Sequence, residues 1–458
     1  MAEENRFSGR MKRYVRVGTG VGGFAARMAG ERLFGRSHDA RIGAAELAAA
    51  LGGLKGPIMK VAQILATVPD LVPPEYAEEF AKLQTNAPPM GPAFVRRRMA
   101  AELGPDWAGR FGSFEREAAA AASLGQVHRA RSLAGEPLAV KLQYPDMQSA
   151  VEADLSQLEL IFSLYRRFDS AIEPSEIGAE LGFRLREELD YVREAAHIRL
   201  YREALADFPE IHVPEVVEAL STRRLLTMSW EEGTRLLEHK ADPLAHRNAI
   251  ARSLFRAWWV PFARLGVIHG DPHLGNYTIR DAGRGEINLL DYGCIRIFPV
   301  RFVQGVIDLY TALKTGDEAL AVHAYETWGF RNLKREVREA LTIWARFIYG
   351  PLLDDRVRTI ADAVTPAEYG RREAFEVHRE LRAHGPVTPP REFVFMDRAA
   401  IGLGAVFLHL GAEINFHRLF EEALEAYDGA GMGARQDAAF ARAGLAVPED
   451  VARAFASA

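Results

Sequence analysis

The sequence lacks the features expected of a disulfide-bonded or membrane-spanning chain. Cys294 is the single cysteine among 458 residues, so no internal disulfide can form and a reducing compartment is expected. The longest apolar stretch without a charged residue, Ala399 to Ala412, is shorter than the roughly 18 residues that a membrane helix needs. No secretory hydrophobic segment opens the chain. These absences predict a cytoplasmic protein, with any membrane contact peripheral.

Charge excess and internal repeats are also missing. The formal net charge is −5, so bulk electrostatics give no argument for nucleic acid as a partner. Without repeats, the length predicts two or three folded units rather than a solenoid. The segment Arg10 to Arg36 is locally basic and dotted with glycine. It has two interpretations, a surface that meets anionic lipid and a solvated chain terminus.

The order of predicted elements is helical, then sheet-rich, then helical again. The sequence pattern is helical up to about Met99, and prolines separate the predicted helices. Three hairpins are predicted after Phe111, and long helical segments separate the first from the second. The hairpins join 126–130 to 138–143, 213–219 to 224–230, and 277–280 to 286–290. The sequence therefore predicts an α+β fold with a small sheet-bearing lobe and a large helical lobe, an order similar to that of protein kinases.

The most specific motif is His269-Gly270-Asp271-Pro272-His273-Leu274-Gly275-Asn276. In kinase catalytic loops an Asp precedes an Asn by five positions, as Asp271 precedes Asn276. A second carboxylate, Asp291 of Asp291-Tyr292-Gly293, follows the third predicted hairpin. Carboxylate and amide oxygens suit Mg²⁺, so Asn276 and Asp291 are the predicted metal ligands and Asp271 the predicted base or water-positioner. Since magnesium avoids imidazole, His269 is interpreted as a residue that holds backbone.

A lysine at the end of a strand supplies the next candidate. Lys141 ends Leu138-Ala139-Val140-Lys141, which is typical of the lysine that contacts phosphates in a kinase small lobe. Such an ammonium needs a helix glutamate to orient it, and Glu194 is the candidate. A solvated strand-edge lysine is the ordinary alternative, and the downstream loop decides between them.

A glycine-rich phosphate loop is absent from its expected place before Lys141. Alanines and a serine stand there: Ala120, Ala121, Ala122 and Ser123. Because alanine has a Cβ, it cannot adopt the positive-φ turns that let a glycine loop approach phosphate closely. We therefore expect a different nucleotide pose. The alternative is that this run begins an alanine-rich helix.

Together these segments make the chain resemble the UbiB/AarF family of atypical kinases. The resemblance runs from about Leu54 to Arg296 and is carried by the alanine loop, SLGQVHRA, LAVKLQYPD, EELDYVREAA, HGDPHLGN and DYG. It implies binding of ATP or ADP with Mg²⁺. It also implies a role in ubiquinone (coenzyme Q) biosynthesis at a membrane, with membrane lipid or ubiquinone-biosynthesis proteins as partners.

The resemblance also implies a family-specific gate near the nucleotide. The family's lysine-x-glycine-glutamine signature corresponds to Lys60 and Gln63, with Ala62 in place of glycine. Its glutamate-x-aspartate signature corresponds to Glu188 and Asp190. On a regular helix these two would diverge by roughly 200°, so both can face one site only if the helix is irregular there or the two residues do different jobs. In the family fold the N-terminal extension blocks docking of protein substrates.

The nucleotide site also needs a hinge, where backbone groups would meet adenine. The segment from Met228 to Gly233 is the candidate, and it places Met228 and Trp230 among the nucleotide-binding residues.

This organisation predicts four segments of the chain. They are a basic segment 1–43, a helical extension 44–105, a small lobe with inserted helices 106–232, and a large helical lobe 233–458. Two other functions stay open at this stage. A small-molecule kinase of the aminoglycoside or choline type uses a similar His-Gly-Asp loop, and a non-catalytic scaffold would bind nucleotide without turnover.

Overall fold

A computed structural model describes residues 90–445, except 123, 146, 153–154, 156–181, 183–184, 331–332, 367 and 385–390. The predicted basic segment and most of the helical extension, with Lys60 and Gln63, lie outside the described residues. The chain divides into two compact units. Unit 1 comprises residues 1–192 and 217–229, and unit 2 comprises 193–216 and 230–458.

Unit 1 is a small antiparallel sheet with a helix packed on it. Strand β3 pairs with β1, β2 and β4, and β4 also pairs with β6. The elements in this unit are α1 Pro92–Leu103, β1 Ser113–Phe114, β2 Ala120–Ala122, β3 Gly125–Arg131, β4 Pro137–Gln143 and β6 Leu225–Ser229.

The core of unit 1 lies between α1 and one face of the sheet. Val95, Met99 and Leu103 recur at the four-residue spacing that puts side chains on one helix face. They cluster with alternate residues of β4, Val140 and Leu142 among them. Because successive strand residues point to opposite faces, Lys141 belongs to the face of β4 turned away from this core.

Unit 2 is mainly helical, with short strands near its start. Helix α2 Tyr191–Ala204 leads into it from unit 1. The strands are β5 Ile211–His212, β7 Thr234–Arg235, β8 Val267–His269, β9 Tyr277–Asp281, β10 Glu286–Leu289 and β11 Ile295–Ile297. The helices are α3 Leu244–Leu265, α4 Val300–Thr315, α5 Glu318–Thr327, α6 Arg335–Tyr349, α7 Arg371–His384, α8 Arg391–Leu410, α9 Phe416–Leu424 and α10 Gly429–Ala443.

Helix α3 supplies the aromatic centre of unit 2. Its residues Phe255, Trp258 and Phe262 are at most 2% exposed. The Trp258 ring lies 5.1 Å from His269 and 5.5 Å from Tyr277, the residues at the two ends of the predicted catalytic loop. Within the described part of the chain, none of the helices combines the length and apolar character that crossing a bilayer demands.

Two of the three predicted hairpins are confirmed. Strands β3 and β4 pair antiparallel, as do β9 and β10. The second hairpin is wrong in its first arm, because no strand forms over 213–219 and residues Glu218–Leu220 are a 3₁₀ turn. Pro214 offers no N–H to a sheet, and β6 pairs with β4 instead.

Candidate active site

The predicted catalytic loop begins where β8 ends and finishes where β9 begins. Strand β8 pairs with β11, with His269 opposite Ile295. The N–H of Gly270 then donates to the carbonyl of Cys294 at 2.8 Å. A Cβ at position 270 would lie 2.7 Å from that oxygen, so the close approach of the two backbones requires glycine here.

His269 joins this loop to the Asp291-Tyr292-Gly293 turn. Its Nδ1 accepts from the N–H of Asp271 at 3.3 Å, and its Nε2 makes a short hydrogen bond to the carbonyl of Asp291. Since Nδ1 accepts, Nε2 carries the ring proton. The ring is 1% exposed. The prediction that His269 holds backbone is confirmed.

The third hairpin brings Asn276 and Asp291 together. Strand register pairs Tyr277 with Leu289, and the carbonyl of Asn276 accepts from the N–H of Leu290 at 3.0 Å. Asn276 and Asp291 therefore leave the hairpin at the same end. Two residues that are far apart in sequence thus become neighbours in unit 2.

Hydrogen bonds fix the orientation of both side chains. Asn276 Nδ2 donates to the carbonyl of Asp271 at 2.9 Å, which turns Oδ1 away from that carbonyl. Asp291 Oδ1 accepts from the N–H of Gly293 at 2.9 Å. An amide oxygen and a carboxylate are donors that suit Mg²⁺, which commonly keeps water and phosphate oxygens as its other ligands. The residues present therefore fit the predicted metal.

A buried phenol adjoins this donor set. Tyr277 follows Asn276 directly and is 1% exposed. Burial, with a smaller contribution from the negative charge of Asp271, raises the pKa of Tyr277 well above its ordinary value. The side chain of Tyr277 therefore stays neutral.

Lys141 in unit 1 is buried, with 8% exposed. It pairs across the sheet with Val127 and Leu226. Its Nζ lies 5.3 Å from the centre of the Tyr191 ring, within range of a cation–π contact. The alternative of a solvated edge lysine is wrong, because β4 is a central strand and the side chain is enclosed.

The alanine run forms strand β2 rather than the start of a helix. Ala120, Ala121 and Ala122 pair antiparallel with Val127, Gln126 and Gly125. Ser123 lies outside the described residues. At Gly125 a Cβ would meet the carbonyl oxygen of Leu142 at 2.2 Å, so this position cannot take a side chain.

The glutamate-x-aspartate pair lies where the helix is interrupted. Glu188 is in a turn and is 9% exposed, and Asp190 precedes the first residue of α2. Asp190 Oδ1 accepts from the N–H of Val192 at 3.1 Å, which is an N-terminal cap, and its Oδ2 lies 3.6 Å from Arg223. The two carboxylates are thus in different local settings.

The predicted partner of Lys141, Glu194, is buried in α2 and belongs to unit 2. Its Oε1 accepts from the N–H of Tyr292 at 3.5 Å. The orientation of Lys141 by Glu194 stays a prediction. The hinge residue Met228 is buried in β6, and the chain passes from unit 1 to unit 2 between Ser229 and Trp230.

One residue near this site was missed by sequence reasoning. His197, one helical turn beyond Glu194, hydrogen-bonds through Nδ1 to the carbonyl of Tyr292 at 3.0 Å. The three-residue spacing between Glu194 and His197 puts both on one helix face and is the signal that could have found it.

A family model described as the ABC1 atypical kinase-like domain matches residues 82–325, just over half of the 458. The matched range contains the alanine hairpin, Lys141 and the loops bearing Asp271 and Asp291. The chain belongs to the ABC1 atypical kinase-like family. Curated members of that family confirm the resemblance to UbiB/AarF proteins.

Several ABC1 relatives are similar over much of this chain. Atypical kinase COQ8, mitochondrial, of Saccharomyces cerevisiae is 29% identical over 379 residues, which are 81% of this chain and 74% of that protein. Protein ACTIVITY OF BC1 COMPLEX KINASE 7, chloroplastic, of Arabidopsis thaliana is 32% identical over 282 residues. Those residues are 57% of this chain but 40% of the plant protein, so the chain spans well under two thirds of that relative.

A solved structure supports the two-lobe kinase-like fold. Rv3197 from Mycobacterium tuberculosis, determined in complex with erythromycin, is 26% identical with a TM-score of 0.56. The superposition covers 88% of this chain and 97% of that one. The predicted α+β kinase-like fold class is confirmed.

Proposed function

We propose that this chain is a phosphoryl-transfer enzyme, an atypical kinase or ATPase, that uses ATP or ADP with Mg²⁺. The observation that supports the proposal most directly is the β9–β10 register, which sets Asn276 beside Asp291 at the end of the loop bearing Asp271. Membership of the ABC1 family supports the same reaction class.

Asn276 and Asp291 are the residues that would hold the metal. A Mg²⁺ ion held there would supply positive charge that offsets the negative charge of the phosphates during transfer. The chain's own contribution is to keep Asn276 Oδ1 and the Asp291 carboxylate oriented before nucleotide arrives. The bonds from Asn276 Nδ2 to the Asp271 carbonyl and from Gly293 N–H to Asp291 Oδ1 serve that purpose.

Asp271 is the proposed base or water-positioner. Its N–H donates to His269 and its carbonyl accepts from Asn276, so its backbone is held on both sides. A carboxylate fixed in this way can accept the proton of an attacking hydroxyl or orient a water.

Unit 1 supplies the proposed phosphate contacts. Lys141 places a positive charge for the α- and β-phosphates, and Glu194 orients it. The β2–β3 hairpin, with Ala120, Ala121, Ala122 and Ser123, covers the phosphates, and Met228 and Trp230 meet the base. Lys60, Gln63, Glu188 and Asp190 form the proposed gate.

The proposed biological role is support of ubiquinone biosynthesis at a membrane. It rests on the resemblance to UbiB/AarF proteins and on similarity to the COQ8 relatives, which are mitochondrial atypical kinases by name. Membrane lipid and ubiquinone-biosynthesis proteins are the proposed partners. The proposed location is cytoplasmic, peripheral at the inner membrane.

The experiment compares the native chain with Asp291→Asn and with Asp207→Asn as a matched control. Asp207 carries an exposed carboxylate of unit 2. Thermal stabilisation by ATP with and without Mg²⁺, and phosphate release with and without vesicles, are measured for each. Removing the charge that balances Mg²⁺ should abolish Mg²⁺-dependent binding in Asp291→Asn alone. Stabilisation by Mg²⁺-ATP that survives in Asp291→Asn overturns the metal assignment.

The measurement of phosphate release distinguishes the proposed function from the two alternative functions. Phosphate release by the native chain that vesicles stimulate supports the proposed ATPase or kinase at a membrane. Binding without any turnover favours the non-catalytic scaffold. Transfer to a small hydroxylated or amine-bearing acceptor favours the small-molecule kinase.

A further inference from the structure

The backbone of Tyr292, in the proposed metal-binding turn, is held at both of its polar groups by one helix. The N–H donates to Glu194 Oε1 at 3.5 Å, and the carbonyl is bonded to His197 Nδ1 at 3.0 Å. Both side chains come from α2, and both are at most 3% exposed. Tyr292 itself is fully buried.

The chemistry of the His197 contact is defined by its partner. A carbonyl oxygen only accepts, so Nδ1 of His197 carries the proton in this bond. A buried carbonyl that loses its donor costs free energy, because no water replaces the bond. The contact therefore favours the present path of the turn over alternatives that move Tyr292.

The residues on either side of Tyr292 are held as well. The carbonyl of Asp291 is bonded to His269 Nε2, and the N–H of Gly293 donates to Asp291 Oδ1 at 2.9 Å. The hydroxyl of Tyr292 donates to the carbonyl of Leu289 at 3.2 Å. The turn that carries Asp291 is thus fixed before, at and after Tyr292.

We propose that His197 is a positioning residue for Asp291, acting through the Tyr292 carbonyl, and that it keeps the metal-binding turn in one conformation. The proposal rests on the proposed function of Asp291 as a metal ligand. It assigns to α2 a second role beside that of Glu194, because the same helix face orients the turn that carries the metal ligand.

The test uses three substitutions that differ in where they place a donor. In Asn the amide nitrogen lies two bonds from Cβ, as Nδ1 does in His, so this variant should retain the hydrogen bond to the Tyr292 carbonyl. Gln puts its N–H one bond farther out, and Leu supplies none. Ile198→Val, a conservative change at the next residue of α2 and fully buried, controls for general loss of packing.

Two measurements are made on the full chain in each form. One is ATP affinity with Mg²⁺ and in EDTA. Loss of a residue that orients a metal ligand typically costs 10- to 100-fold in metal affinity, so the Mg²⁺-dependent gain should fall about tenfold or more in His197→Leu and His197→Gln. Affinity in EDTA should be unchanged. His197→Asn and Ile198→Val should behave as the native chain.

The second measurement is hydrogen exchange of the peptide covering residues 289–297 without nucleotide. Exchange should accelerate in His197→Leu and His197→Gln and stay native in His197→Asn. Equal exchange and equal Mg²⁺ dependence in all forms, or an Asn variant that behaves as the Leu variant, overturns the proposal. If the native chain shows no Mg²⁺-dependent binding at all, the proposed function fails while the exchange data still decide the role of His197.

Discussion

At the scale of single residues, Asp397 on helix α8 of unit 2 is a partly buried carboxyl group. Burial raises the pKa of Asp397 from its ordinary 3.8 to about 7. Between these two values the folded chain keeps a proton that the unfolded chain releases. The free energy of unfolding should therefore fall as pH rises through this window, by at most about 1.4 kcal/mol per pH unit from this group.

The first prediction is that Asp397→Asn raises stability at pH 8 and changes it little near pH 4. Asparagine is neutral at every pH and has nearly the same shape, so it removes the cost of ionising a buried acid. Urea unfolding at pH 4, 6 and 8 measures the difference between variant and native chains. Asp437→Asn, at an exposed position of α10, is the control. A difference that does not grow with pH contradicts the prediction.

The candidate site contains residues that were predicted from their spacing in the sequence and one residue, His197, that was not. Asp271, Asn276 and Asp291 were predicted because their spacing follows the needs of phosphoryl transfer. His197 was not, because its partner, the Tyr292 carbonyl, lies 95 positions away and the spacing from Glu194 does not identify that partner. A histidine on a helix gives no indication of such a partner from sequence alone.

At the scale of secondary-structure elements, helix α8 lies directly on the catalytic loop. A Cβ added at Gly402 would lie 2.1 Å from Cγ of Pro272, the residue after Asp271. That distance is far inside van der Waals contact, and the proline ring has little freedom to move. The glycine therefore allows the helix to approach the loop closely.

The second prediction is that Gly402→Ala lowers both stability and turnover. A helical Gly→Ala change normally gains up to about 1 kcal/mol, but overpacking of this kind costs about 1–3 kcal/mol, so the clash should prevail. Gly433→Ala in α10 is the matched control, since its Cβ would meet only Val300 at 3.8 Å. Thermal unfolding and phosphate release are measured for both. A Gly402→Ala chain as stable and active as the control refutes the close-packing argument.

The third prediction concerns the β2–β3 hairpin. Ala121 pairs with Gln126 and is exposed. Ala121→Gly should increase backbone freedom over the phosphates and change the ratio of ATP to ADP affinity. Ala134→Gly, in the turn between β3 and β4, makes the same chemical change at the other end of β3 and should leave the ratio unchanged. Titration calorimetry with each nucleotide measures both. An unaltered ratio in Ala121→Gly shows that the hairpin does not select between the nucleotides.

At the scale of the whole molecule, the proposed membrane contact depends on residues outside the described part of the chain. The segment Arg10 to Arg36 contains seven basic residues and one acidic residue: Arg10, Lys12, Arg13, Arg16, Arg27, Arg32, Arg36 and Glu31. Attraction of such a segment to anionic lipid weakens as salt screens it.

The fourth prediction is that flotation with anionic vesicles decreases when residues 1–36 are deleted and when salt is raised. A full-length variant with Lys12, Arg13 and Arg16 changed to Gln tests the effect of charge on flotation without shortening the chain. It should float less than the native chain at low salt and about equally at high salt. Equal flotation of the native and shortened chains excludes the basic segment as the lipid contact.

The sequence by itself determined the reaction class and the fold class, and it predicted site residues from their local spacing. The His-Gly-Asp loop, its Asn five residues later, and two of three hairpins needed only neighbours in the chain, because turns and strand pairs of this kind are local structures. The alanine run could be placed before Lys141 but not assigned to a strand, since alanine favours helices in isolation and only pairing with β3 made it extended.

Only the tertiary structure decided the partners that come from far along the chain. It joined β6 to β4 as a strand pair while residues 213–219 formed no strand, turned His197 toward Tyr292, and set Gly402 against Pro272. The physical reason is the same in each case. A residue's type and spacing constrain its own element, whereas its long-range partner is selected by burial and by the demand that every enclosed polar group find a hydrogen bond.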